Sequence, residues 1–148
     1  MDDLNKIVGE ILEKGLLMSL ATQDSGGLWA STVNISFDDA FNIYWISSPD
    51  VRHSKAIAEN SKVAGTITIS SGSKEPNLGL QFAGSALKIS DVEGNVVKKY
   101  FERRGKQMPG SAEDFLKGRS WYKLKPDFFD IINESLWGYK KQKLEINS

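Results

Sequence analysis

From residue 16 to residue 146 the chain reads as about eight strand-length apolar or β-branched segments separated by turn signals, with only short helical patterns between them. That succession confines it to a mainly β fold, an antiparallel barrel or sandwich with helices at its edges. Residues 16–22 form a buried strand pattern. Gly26 and Gly27 then punctuate a turn before a second strand over 28–36, and a turn over 38–40 leads into a third over 42–47, as an antiparallel meander. Residues 62–70 are rich in β-branched side chains, and residues 78–90 make a long strand beyond a hairpin tip over 70–77. Two strands over 121–124 and 128–133, split by Pro126, and an alternating strand over 139–146 complete the set.

The helices are equally legible. Leu4, Ile7, Val8, Ile11 and Leu12 recur at helical spacing, with Asp2 and Asp3 before them and Gly15 after. Residues 51–59 read as a helix with Ser48 or Asp50 as N-cap and Asn60 as terminator. Residues 95–104 read as another, with Val96, Val97, Tyr100 and Phe101 facing inward. Ser111 is placed to cap a short helix over 111–118, with Asp114 at the capping-box position. No repeat or linker divides the chain, so residues 1–148 are expected to form one domain.

Composition removes several function classes. Lysine plus arginine (19) balances aspartate plus glutamate (19), so no global field recruits nucleic acid or acidic membrane. The absence of cysteine excludes disulfides, thiolate metal sites and a cysteine nucleophile, and a single histidine, His53, excludes a multi-histidine metal site within one subunit. The first residues are acidic where a signal peptide is basic, and no apolar run approaches the roughly 20 residues of a membrane span. A cytoplasmic location is the expectation.

The densest functional signal lies in residues 41–69, a strand, a short helix and a strand. Ser47 and Ser48 end the first strand, and Arg52, His53 and Lys55 follow at once, the combination that a phosphate group needs for charge-assisted hydrogen bonds. The competing reading is a solvated helix face. At about 100° per residue the three basic positions span about 300°, so an ideal helix cannot aim all of them at one anion, and Arg52 and His53 are the better pair. Asp50 is repulsive there unless it caps the helix. Residues 139–143 (YKKQK) read either as a lysine-protected edge strand or as a nucleic-acid patch, with the edge strand favoured. No G-x-S-x-G elbow accompanies His53, and there is no P-loop or G-x-G-x-x-G after a strand.

The segments GGLWASTVNISF, IYWISSPDVRHSKAIAENSKVAG, LQFAG, WYKLKPDFFDIINE and WGYKK, in this order, resemble the pyridoxamine 5'-phosphate oxidase-like family of flavin-binding split β-barrels, a small uncharacterised branch of it. The resemblance covers nearly the whole chain. It implies an antiparallel split β-barrel and a homodimer with FMN in clefts between the subunits. It places Arg52 and His53 on the FMN phosphate, with Ser47 just ahead and Lys55 nearby. Ala30, Ser31, Thr32, Val33 and Asn34 would run along the ribityl chain and ring. Gln81 resembles a flavin-contacting glutamine, although it stands three residues before Gly84 where five are expected. Trp137 matches a tryptophan that reaches the flavin from the partner subunit. No arginine follows Arg119, and Lys140, Lys141 and Lys143 do not replace the bidentate arginines that hold the substrate phosphate of the true oxidase. The implied function is therefore an FMN-dependent oxidoreductase, a flavin reductase or oxidase-like enzyme acting on a small molecule other than a B6 vitamer, with no catalytic residue identified. F420 is an alternative cofactor and haem a weaker one. The alternative functions are a non-enzymatic flavin-binding or sensor module and a cofactor-free structural dimer.

Overall fold

The computed structural model describes residues 2–69, 72–111 and 115–146. Helix α1 (Leu4–Lys14) starts where the Asp3 side chain accepts from the Lys6 N–H at 3.2 Å, and ends where the Gly15 N–H donates to the Ile11 carbonyl at 2.8 Å. It buries Val8, Ile11 and Leu12, the inward set that its spacing dictates. The strands are β1 (Leu17–Asp24), β2 (Gly27–Asn34), β3 (Ser36–Phe37), β4 (Ile43–Ser47), β5 (Lys62–Thr68), β6 (Leu78–Ile89), β7 (Ser120–Asn133) and β8 (Gln142–Glu145). Helix α2 (Arg52–Glu59) joins β4 to β5, α3 (Gly94–Arg103) joins β6 to β7, and a single turn, α4 (Glu134–Trp137), precedes β8.

All eight strands belong to one antiparallel sheet in the order β2-β1-β5-β6-β7-β4-β3, with β8 paired to the second half of β7. The sheet curls around a core to which β1 gives Met18 and Leu20, β5 Ile67, β6 Leu80 and Phe82, and β7 Leu124, Phe129 and Ile131. Helix α1 packs on this core. A second cluster lies outside the barrel, where Val96, Val97, Tyr100 and Phe101 of α3 cover Tyr44 and Trp121. Residue alternation explains both: along β4, Trp45 points into the barrel and Tyr44 out under α3, so this strand is apolar on both faces.

Four sequence expectations are corrected. The meander stops after β2, which pairs with β1 alone, while β3 and β4 are carried across to β7. A strand apolar on both faces needs cover on both, and only the position beside β7 and beneath α3 provides it. Pro126 does not split β7, which runs unbroken for 14 residues. It sits where β7 exchanges neighbour β4 for β8, beside the register shift at Ala83/Gly84, where a missing N–H costs no ladder bond. Gly84 is required opposite, since a Cβ there would overlap the Lys125 carbonyl. Helix α2 has Val51 at its N-cap, with no side-chain cap from Ser48 or Asp50. The last strand covers Gln142–Glu145 only, and Tyr139 is 91% exposed. The helix expected over 111–118 falls partly on residues 112–114, outside the described residues.

Candidate functional site

The order of strands leaves β2 at one end of the sheet and β4-β3 at the other, and α2 packs against β1, β2 and β6. The chain leaves β4 at Ser47 and enters α2 at Arg52, so the basic residues stand at this crossover. The structure divides them into two groups.

Arg52 turns outward. Its Nε donates to Asp24 Oδ2 at 3.3 Å and its Nη2 to Asp24 Oδ1 at 3.4 Å, while the guanidinium lies 4.6 Å from the Trp29 ring centroid. Nη1 makes no hydrogen bond among the described residues. A carboxylate on one side and an indole beneath thus fix the plane of the group and leave one edge open. Lys55 lines the same open cavity, as do the carboxyl-bearing Asp24, Asp50 and Glu59. The hydrogen bond from Arg52 holds the Asp24 carboxyl below its ordinary pKa, so it is ionised at neutral pH.

His53 turns inward. Its Nε2 lies 2.9 Å from Ser47 Oγ, and Ser47 is buried. Burial pushes the imidazole pKa below its ordinary value, which favours the neutral ring in this structure. The unfolded chain binds this proton more readily than the folded one, so the contribution of His53 to stability is complete above about pH 6.5 and is lost as pH falls toward the lower folded value. Thermal melts between pH 7.5 and 5 should therefore show a declining Tm in the wild type and a flatter profile in His53→Gln; parallel profiles would refute the assignment.

The remaining predicted residues lie on β2, β6 and α4. Ala30 and Thr32 are exposed on the outer face of the sheet, whereas Val33 points into the core. The buried Ser31 hydroxyl has no partner among the described residues. Asn34 lines a cavity with Leu16, Ile35, Arg103 and Arg104. Gln81 is exposed and sits opposite Thr66 and Asp130. Trp137 donates from Nε1 to Asp2 Oδ2 at 2.8 Å and packs beside the core near the start of α1. Within the chain, then, the structure joins Ser47 to His53 and sets Arg52 and Lys55 at one cavity, and it does not bring Arg52 and His53 onto a common point.

Asp24, Trp29 and Glu59 were missed from the sequence. Asp24 stood in a Gly-rich turn with only local meaning, and its contact with Arg52 spans 28 positions. Among the described residues no group of three His, Cys, Asp or Glu is arranged to hold a metal ion, and no helix is long and apolar enough to cross a membrane.

No protein-family model matches the chain. A UPF0306 protein of Pasteurella multocida is 25% identical over 100 residues, 67% of each chain. Among solved structures, a candidate pyridoxamine 5'-phosphate oxidase from Listeria innocua superimposes with a TM-score of 0.67 at 18% identity, over 88% of this chain and 99% of that one. The chain has the pyridoxamine 5'-phosphate oxidase-like split-barrel fold. A second split barrel, the heme storage protein HutZ of Vibrio cholerae, superimposes with a TM-score of 0.66 at 19% identity, over 84% of this chain and 91% of that one. The same fold thus carries proteins named for different roles, a candidate oxidase and a heme storage protein, and what this chain does depends on its own residues.

Proposed function

We propose that this protein is an FMN-binding oxidoreductase of flavin reductase or oxidase-like type, acting on a small molecule, with the cofactor held between two copies of the chain. The observation that carries this reading is the Arg52 guanidinium, held over the Trp29 ring at the β4–α2 crossover with its Nη1 edge open. An oriented guanidinium suits a phosphate monoester, and Lys55 stands beside it. The buried Ser31 hydroxyl on the neighbouring β2, which has no partner among the described residues, suits a polyhydroxyl chain such as ribityl. The flavin would supply the hydride and electron chemistry; the protein would bind, orient and exclude water.

The outer face of the sheet supports a second copy. In register across β2, β1, β5 and β6 run Thr32, Ser19, Thr66 and Gln81, and beside them Ala30, Ala21, Ala64 and Ala83. Neither row carries a charge over these four strands, and absence of charge is a property that this face shares with an interface core. Haem fits the residues less well. The one histidine is half-buried with its Nε2 already on Ser47, so an axial imidazole is not on offer.

Arg52→Ala should weaken FMN by about 1.5–3 kcal/mol, roughly tenfold to a hundredfold, since that is the worth of a charged hydrogen bond. Lys140→Ala should change little. Titration of both variants with FMN and riboflavin decides the matter: equal affinity of the wild type for the two flavins rules out Arg52 as phosphate ligand. Bleaching of the bound flavin by NAD(P)H supports the reductase. The cofactor-free dimer is the second reading, and it is favoured by the three carboxylates that share the cavity with Arg52 and Lys55. A colourless dimer indifferent to FMN would establish it.

A further inference from the structure

The cavity at the crossover is not simply basic. Arg52 and Lys55 bring two positive charges to it, and Asp24, Asp50 and Glu59 bring three negative ones. A dianion entering this arrangement meets a carboxylate already on the guanidinium, and like charges within a few ångströms oppose each other strongly. Asp24 is also not free to swing away by itself. Its Oδ1 accepts from the Gly26 N–H at 2.8 Å, which ties the carboxylate into the β1–β2 turn. That turn is fastened to α2 at both ends of the helix, by Asp24 on Arg52 at its first residue and by the Ser25 N–H on Glu59 Oε1, 2.9 Å, at its last. Gly27, at φ +114°, closes the turn behind it in a backbone conformation that favours glycine. Trp29, in contrast, holds the face of the guanidinium and leaves its edges alone.

We propose that Asp24 is a built-in competitor for the anion site: a phosphate group takes the Arg52 guanidinium from Asp24, and the β1–β2 turn loosens from α2 as it does so. Ligand binding and release of this turn are then one coupled event, with Trp29 keeping the guanidinium in place throughout. This regulation rests on the reading of Arg52 as a phosphate ligand.

Asp24→Asn tests it, because the amide oxygen keeps the bond from Gly26 while the charge is lost. Affinities for FMN, riboflavin and inorganic phosphate are measured for wild type and variant, together with amide exchange at Ser25 and Gly26. The expected results are FMN binding tightened about tenfold in the variant, riboflavin unchanged, and faster exchange of the two amides when FMN binds the wild type. Arg52→Ala in the Asp24→Asn background should abolish the gain. Unchanged or weaker FMN binding by Asp24→Asn overturns the proposal while leaving FMN binding itself intact. If neither protein binds a flavin but inorganic phosphate binds and tightens in the variant, the FMN reading fails and the competitor role stands. If no phosphate species binds either protein, both fail.

Discussion

Phe129→Ala should destabilise the fold by about 3–5 kcal/mol, the usual cost of emptying a buried phenylalanine site. Phe129 is fully buried on β7, and its ring meets Phe82 of β6 at 5.3 Å and Phe41, in the β3–β4 loop, at 6.2 Å, both edge to face. The truncation therefore removes apolar burial and two oriented aromatic contacts together. Collapse of neighbours into the space is restricted on the β5 side, because Phe82 is seated against Gly65, where a Cβ would lie 2.6 Å from the ring. A domain of this size has a total stability of only about 5–15 kcal/mol, so the loss is a large fraction of the whole. Urea melts should show a much lower midpoint with an unchanged slope. Phe129→Leu should recover more than half of the loss. A shift below about 1 kcal/mol for the alanine variant would mean that this cluster is not the centre of the core.

The elements that were legible in the sequence are those whose pattern is local. Helix α1 was readable to its ends because its apolar spacing, Asp3 and Gly15 all lie within about three turns. The four inward residues of α3, Val96, Val97, Tyr100 and Phe101, are the four that the structure buries. Turn punctuation led to a mainly β class but left barrel and sandwich open; the barrel came from the family resemblance, and the count of eight agrees only because β7 replaces two expected strands while β3 separates from the second. What failed was long-range pairing. Nothing near β4 says that it will lie beside β7 and not β2, because that choice depends on a second cluster assembled from α3, some 50 residues later. Pro126 was misread for the same reason: its missing N–H matters only if a neighbour needs it, and the neighbour changes at that point.

The candidate site follows the same division. Ser47 and His53 are six positions apart, and both stood out in the sequence, but their hydrogen bond depends on the direction that α2 takes after Val51. In the structure Arg52 shares a cavity with Lys55 and His53 turns to Ser47, whereas the helical period, which forbade three cations on one anion, had favoured Arg52 with His53. It could not show that Arg52 arrives with a carboxylate partner, since Asp24 comes from another hairpin. The site is thus readable as residue types and unreadable as charge balance, because charge balance is a property of tertiary neighbours.

Asp38→Ala should cost about 2–4 kcal/mol, because it strips a turn of its organising acceptor and leaves the buried Tyr44 hydroxyl without its partner. Asp38 is buried; Oδ1 accepts from the N–H groups of Ala40 at 3.0 Å and Asn42 at 2.9 Å, and Oδ2 accepts from Asn42 Nδ2 at 3.0 Å and Tyr44 Oη at 2.8 Å. These bonds close the loop between β3 and β4 and hold Phe41 at φ +68°, a left-handed conformation that a bulky side chain adopts only when its surroundings impose it. Asp38→Asn keeps the Oδ1 acceptor for the two backbone N–H groups and should cost less than half as much. Tyr44 provides a second readout. Burial, and after it the bond to Asp38, pushes its phenol pKa far above the ordinary value, so in Asp38→Ala the phenol should titrate at lower pH, though still above a free tyrosine. The loop also sets the start of β4, whose five residues end at Ser47. Loosening it should lengthen or break the contact of Ser47 with His53 and let water reach the imidazole, and the flattened pH profile expected of His53→Gln should then appear in Asp38→Ala as well. If Asp38→Ala lowers stability while the pH dependence of melting stays that of the wild type, the loop supports the core alone and the crossover is positioned by α2 and its neighbours.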